Sequence, residues 1–410
     1  MSGDVVVHDA AQIATATDDG EWTELGGDAI AIENGRIAAI GSTAAVTGEY
    51  PLEDAEEVVD ASGQAVIPGF VDPHTHALFA GDRSGEFAAK LRGKTYQEIL
   101  AEGGGILKTV RAVREAGDEE LLSNLLGHLD VMLAHGTTTV EVKSGYGLDT
   151  ETELRMLSVI DRADDRHPVD VVPTFMGAHA VPPDLDADEY TERVVEDQLP
   201  AVADQGIAEY CDVFCEADVF TVEQSRRILE AGIEHGLTPK VHAEEFVRLG
   251  GAQLAAEVGA TSADHLLHAT DEDAAALADA GVVPVLLPGT AFALGAEYAD
   301  PDPFLAADAP VALATDFNPN CYAQSMGFAV ALGCSGMGMA PGESLTAATR
   351  NAALALDRPD LGTLSVGAPA DLLVLDAPSA VYVPYNVGVN VVDTVVKDGS
   401  VAVREGERTR

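Results

Sequence analysis

The stretch that most constrains this chain is Pro68-Gly69-Phe70-Val71-Asp72-Pro73-His74-Thr75-His76, an apolar run that breaks into two histidines spaced i, i+2. Side chains two apart on a β-strand project to the same side, so a strand over Phe70–His76 brings His74 and His76 to one point in space. One metal ion can take both. The same spacing also describes two polar residues at a strand end, so the rest of the chain must decide. A metal needs further ligands at the ends of other buried strands, and His242 and Asp316 are the candidates.

Between the two ends of the chain, apolar strand-like runs alternate with amphipathic helical ones, the pattern of βα units and a parallel sheet. Strands are expected at 69–72, 137–142, 169–175, 210–214, 239–243, 260–263, 282–287 and 311–314. Helices are expected between them, including 118–135, 150–162, 222–235, 249–258 and 271–280. Eight such units suit an α/β fold of the (β/α)₈ barrel type, over about residues 68–361, whose chemistry sits at the strands' C-terminal ends. The polar residues there are His74, His76, Lys143, His179, His242, His265 and Asp316.

The ends of the chain read differently. Asn34-Gly35 and Asp398-Gly399 each lie between apolar stretches, which marks two hairpins because both turn residues tolerate positive φ. Residues 371–376 read as a buried strand, and neither end shows a helical period. Hairpins are marginal alone, so residues 1–67 and 362–410 are expected to complete one small β-sandwich domain.

Charge narrows the partners. The 410 residues carry 69 acidic against 23 basic side chains, a net charge of −46. Such self-repulsion is tolerable where molar salt cuts the screening length to about 3 Å, so a halophilic cytoplasm is the simplest setting. No Lys/Arg cluster offers a footprint for nucleic acid. No apolar run reaches the ~18 residues of a membrane span, and Met1-Ser2-Gly3-Asp4 opens no secretory signal. The four cysteines, Cys211, Cys215, Cys321 and Cys334, are too few and irregular for a disulfide framework and are expected to be reduced. Gly103-Gly104-Gly105 lacks the Lys-Ser/Thr ending of a phosphate loop and is read as a mobile loop near the site.

The barrel start, the split sandwich and the aspartate of the last strand resemble the amidohydrolase superfamily. Within it the chain resembles the imidazolonepropionases, cyclic amidohydrolases of histidine degradation. The segments that carry this likeness are 80–83 (Ala-Gly-Asp-Arg), 141–148 (Glu-Val-Lys-Ser-Gly-Tyr-Gly-Leu), 175–179 (Phe-Met-Gly-Ala-His), 241–245 (Val-His-Ala-Glu-Glu), 262–265 (Ser-Ala-Asp-His) and 314–319 (Ala-Thr-Asp-Phe-Asn-Pro). The resemblance implies one divalent or trivalent metal ion per subunit, zinc or iron, held by His74, His76, His242 and Asp316. It brings Arg83, Tyr96, Tyr146, His179, Glu245, Asn318, Asn320 and Cys321 to a small-molecule substrate, and it implies a homodimer. One departure stands out: Asn320 occupies a place where the family usually has glycine, which changes any backbone contact through 320 and 321.

The fourth strand has no lysine to be carboxylated, so a single metal is expected; Lys143, on the second, is read as structural or as a charge near a substrate carboxylate. His265 is the candidate that activates water, and Glu245 the one that orients a ring through its N–H; the two compete for the role of principal base, with Asp316 beside them. The implied reaction is hydrolysis of the cyclic amide of 4-imidazolone-5-propanoate to N-formimidoyl-L-glutamate. A deaminase of an aminated heterocycle would use the same ligands but does not require Arg83. A catalytically silent barrel used for assembly is the third reading, and a complete ligand set argues against it.

Overall fold

The computed structural model describes residues 3–95, 98–99 and 102–409. Eight parallel strands follow one another around a barrel: Phe70–Asp72, Thr137–Lys143, Asp170–Ala178, Tyr210–Cys215, Thr238–Ala243, Ser262–His265, Val283–Leu286 and Ala312–Leu313. The first strand is shorter than its sequence implies. It ends at Asp72, because Pro73 has no N–H to donate to a ladder. Pairing resumes at Thr75, which bridges Phe317, and this closes the barrel: the His76 N–H donates to the Phe317 carbonyl (2.9 Å) and the Asp316 N–H to the His74 carbonyl (3.1 Å). The i, i+2 geometry therefore survives the break in the strand.

Period-2 alternation sorts each strand into an outer and an inner row. Val140, Val142, Cys211, Val213, Val241 and Ala263 join the large core shared with the surrounding helices. The intervening positions turn inward, and here they are charged: Glu141 and Lys143, Asp212, Lys240 and His242, Asp264, all buried. Below this layer Val71, Val172, Tyr210, Val283 and Ala312 pack against Ala352, Ala353 and Leu356, so the helix Arg350–Leu354 and its flanks plug the lower end.

Helices occupy Asp118–Ala134, Thr150–Asp164, Val222–Glu234, Gly251–Val258 and Asp271–Ala280, within a few residues of expectation. The Val222–Glu234 helix starts where Thr221 and Gln224 form a reciprocal capping box. Among the described residues no helix is long and apolar enough to cross a membrane. All four cysteines are free thiols, three of them buried.

The two ends of the chain form a four-stranded and a seven-stranded sheet. Ala65–Pro68 pairs with Gln12–Ala16 on one side and Leu372–Leu375 on the other, joining N- and C-terminal segments in one sheet. Val5, Ile30 and Ile32 of the smaller sheet pack against Val66, Leu372, Val374 and Val396 of the larger. Both hairpin turns adopt the left-handed region, with φ of 54° and 71° at Asn34-Gly35 and 49° and 75° at Asp398-Gly399. One expectation fails: short helices lie at both ends, Tyr382–Tyr385 and Thr43–Glu49, the latter capped by the Ser42 side chain. Thr43–Glu49 buries a single residue, Val46, and so has no apolar stripe for a periodicity to reveal.

Candidate metal centre

His74 and His76 leave the first strand side by side, His242 ends the fifth, and Asp316 lies just beyond the eighth. All four are buried, and the three histidines offer donor nitrogens within 4.8 Å of one another. The Nε2 atoms of His76 and His242 are 3.4 Å apart, and Asp316 Oδ1 lies 3.6 Å from His74 Nε2 and 3.8 Å from His76 Nε2. A tetrahedral ion with bonds near 2.1 Å places its donors ~3.4 Å apart, so this set fits a metal of zinc's size. His74 Nε2 is buried without a hydrogen-bond partner, a cost that coordination would remove. Burial holds His74 and His76 well below the ordinary histidine range, which keeps them neutral, the form a metal requires.

The far nitrogens are also held. His74 Nδ1 lies 2.7 Å from Asp264 Oδ2, and His242 Nδ1 lies 3.0 Å from Asp212 Oδ2. An N–H donated to each carboxylate leaves Nε2 bare toward the metal. Lys143 Nζ sits beneath both, 2.7 Å from Asp212, 2.7 Å from Glu141 and 3.8 Å from Asp264, while Lys240 Nζ reaches Glu141 at 3.0 Å. Burial penalises the Lys143 ammonium, but Asp212 and Glu141 outweigh it and keep it protonated. Burial likewise opposes the Asp212 charge, and His242 with Lys143 overcomes it; Asp264 is pushed up to about 6 by burial. Lys143 is thus structural and fully enclosed, not a charge facing substrate. Sequence reasoning missed Asp212 and Asp264. The signal was present, since each is a lone acid at an inward position of a buried strand.

The remaining candidates form the rest of the rim. His179 stacks on His76 at 4.6 Å between ring centroids, and Tyr146 lies 5.3 Å from His179 and 5.9 Å from His76. Burial lowers the His179 imidazole to about 3 and raises the Tyr146 hydroxyl. His265 packs against His242 at 5.1 Å, with its Nε2 3.6 Å from Glu245 Oε2. Burial holds His265 well below and Glu245 well above their ordinary values. Several non-glycine residues at this rim take left-handed backbones, among them Glu244 (56°), His265 (79°) and Asp316 (49°), a strain that recurs at functional sites. Thr290 Oγ1 donates to Asp316 Oδ2.

Arg83 donates from Nε to Glu86 Oε2 at 3.0 Å, and Gly105 N–H, at the end of the triple glycine, donates to the same oxygen at 3.3 Å. Asn318 Nδ2 donates to the Asp316 carbonyl, and its Oδ1 accepts from the N–H groups of Asn320 (2.8 Å) and Cys321 (2.9 Å). A cavity of about 850 Å³ is lined by Arg83, Asn320 and Cys321 together with Phe79, His128 and Tyr322, and none of the four candidate metal ligands lines it. The His128 ring stacks on Phe79 in this lining, 4.7 Å between centroids. Tyr96 lies outside the described residues.

Residues 220–402 match the amidohydrolase family. The fold is shared with solved members of that chemistry: an adenosine deaminase from Xanthomonas campestris (TM-score 0.75, 19% identity, covering 100% of this chain and 94% of that one) and E. coli guanine deaminase (TM-score 0.75, 16%, covering 98% and 99%). Sequence is more specific. The imidazolonepropionase of Haloarcula marismortui is 69% identical over 401 residues, 97% of this chain and 96% of that protein. That of Geobacillus kaustophilus is 50% identical over 381 residues, 92% and 90%. The chain belongs to the imidazolonepropionase family.

Proposed function

We propose that the chain hydrolyses the cyclic amide of 4-imidazolone-5-propanoate to N-formimidoyl-L-glutamate, a step of histidine degradation. The observation that carries this reading is the convergence of three bare imidazole nitrogens and a carboxylate at one rim, in a chain so close to named imidazolonepropionases. His74, His76, His242 and Asp316 would hold one ion, which we take to be zinc or iron because three imidazoles and a carboxylate accept both. When bound, such an ion lowers the pKa of water toward ~7 and polarises a carbonyl.

The chain's own groups do the rest. Arg83, with Nε occupied by Glu86, presents its two outer nitrogens to the propanoate arm, and a planar guanidinium grips a carboxylate with two parallel hydrogen bonds. Tyr146 and His179 form an aromatic wall beside His76 against which the ring is oriented. His265, neutral through burial, accepts the proton of the attacking water, and Glu245, 3.6 Å away, faces the ring nitrogen. Water adds its oxygen to the ring carbonyl carbon, the carbon–nitrogen bond breaks, and the proton passes from His265 by way of Glu245 to the departing nitrogen. No covalent enzyme intermediate is needed.

We extend the reading to a homodimer in a high-salt cytoplasm, with residues 1–67 and 362–410 as the sandwich domain and 68–361 as the barrel. A deaminase of an aminated ring has no need of the Arg83–Glu86 pair. The test is turnover of 4-imidazolone-5-propanoate in molar salt by enzyme of known metal content, with the formimidoyl product followed directly. Product formation that tracks metal content is expected. Absence of product from metal-loaded enzyme, or equal hydrolysis of an imidazolone lacking the carboxylate, would overturn it.

A further inference from the structure

Glu153 is a buried carboxylate in the first turns of the helix Thr150–Asp164, and the reaction as described does not use it. Among the described residues no cation pairs with it. Oε1 accepts from the N–H groups of Gly147 (2.7 Å) and Leu148 (2.9 Å), Oε2 accepts from Gly145 (2.9 Å), and the Ser144 side chain bonds the carboxyl as well. Burial raises the Glu153 carboxyl above its ordinary range, and the hydrogen bonds from Ser144 and the three backbone amides oppose that rise. They also fix a turn that would otherwise open, since Gly145 (φ 94°) and Leu148 (φ 56°) both sit in the left-handed region.

The clamped segment carries Tyr146 between its bonded amides. It also reaches His179, whose Nδ1 lies 3.1 Å from the Gly145 carbonyl. An N–H donated there sets the tautomer and leaves Nε2 free toward the site. The packing has no slack: a Cβ at Gly145 would come within 2.9 Å of His179 Nδ1, and one at Gly147 within 2.8 Å of both the Glu153 amide nitrogen and Oε1. Substrate-facing aromatic groups on two different barrel loops are thereby tied to one carboxylate.

We infer that Glu153 is a positioning residue for substrate: by holding the 145–148 backbone it aims Tyr146 and His179 at the ring, without touching substrate or metal itself. The inference rests on the hydrolase reading above and concerns KM, because the groups it aims bind the ring and do not bond to the reacting carbonyl.

Glu153→Gln keeps the shape but sets an amide donor against one of the three backbone donors. We expect KM to rise about 10-fold or more with kcat within about 3-fold and metal content unchanged. Gly147→Ala, which crowds the same carboxylate, should give the same split if Glu153→Gln folds poorly. Leu157→Ala, a buried apolar change on the same helix, serves as the comparison: it should lower Tm while leaving KM near wild type. In a double-mutant cycle with Tyr146→Phe, the KM effects should be markedly less than multiplicative. Wild-type KM in both Glu153→Gln and Gly147→Ala, a KM rise in Leu157→Ala equal to theirs, loss of metal, or fully multiplicative effects would each overturn the assignment. Turnover by the unmutated enzyme is measured alongside, so failure of the hydrolase reading is seen separately.

Discussion

The half of the rim proposed to hold a metal and the half proposed to bind substrate are built from different materials. His74 and His242 are held by side chains: carboxylates at 2.7 and 3.0 Å, themselves fixed by the buried Lys143. Tyr146, Arg83 and Asn318 stand on loops whose backbones are tied by neighbouring side chains, as at Glu153 and Asn318. The difference follows from the tasks. A metal demands fixed donor positions to within a few tenths of an ångström, which ladders and ion pairs in low dielectric can deliver. A substrate must enter and leave, so the contacts proposed for it sit on loops outside the barrel ladder, held in place by hydrogen bonds to their backbones.

The comparison is broken most severely at a ligand. His242→Ala should abolish turnover and empty the site, with the barrel retained, because a set of three donors binds far more weakly than four. Metal analysis after dialysis checks this; full occupancy with normal activity would remove His242 from the site. Next in size is Asp264→Ala, which leaves the His74 ring unanchored and removes a charge from around Lys143. Loss of such a supporting carboxylate typically weakens metal binding ~10–100-fold. Chelator competition reads the effect, and unchanged affinity would show that His74 is fixed by other means.

Much of this was legible from the residues. Strand order, the closing hairpins and the first-strand histidines follow from period, turn chemistry and i, i+2 spacing. The buried charge network was not, for a physical reason: Asp212 and Asp264 are single acids on separate strands, and their meaning depends on what lies across the barrel. Parallel pairing puts His242 opposite Asp264 on one side and Phe214 on the other, with Asp212 beside Lys240. That register is a tertiary fact. For the same reason the sequence left Lys143 open between a structural role and a charge near substrate, since a lysine at a strand end ordinarily reaches outward, and its three buried carboxylate neighbours decide for the first. The Thr43–Glu49 helix escaped because it is too short and too exposed to carry a stripe.

On the substrate half, Arg83→Lys sharpens the contrast. Lysine keeps the charge but loses the forked geometry and the Nε contact to Glu86, at a cost of ~1.5–3 kcal/mol for a charged hydrogen bond. A fall in kcat/KM of roughly 10–100-fold is expected, with metal content untouched. Steady-state kinetics beside metal quantification decides it; a parallel loss of metal would show that the two halves are not separate.

The smallest effect is expected at Asn320, and its smallness is the point. The family's glycine at this place suggests a backbone contact with substrate. Here the Asn320 and Cys321 N–H groups both donate to Asn318 Oδ1, and the Asn320 side chain accepts from Lys90 Nζ at 2.8 Å. Asn320→Gly removes only the Lys90 contact, which is partly exposed and contributes at most ~1 kcal/mol to stability. It leaves the Asn318 clamp in place, so kcat/KM should stay within about 3-fold of wild type. Asn318→Ala removes the clamp itself and frees both N–H groups together with the Asp316 carbonyl, so it should raise KM far more. Kinetics on the two variants in the same salt makes the comparison. If Asn320→Gly raises KM as much as Asn318→Ala, the Asn320 side chain is itself a substrate contact, and this part of the rim depends on a side chain where the present geometry assigns a clamped backbone.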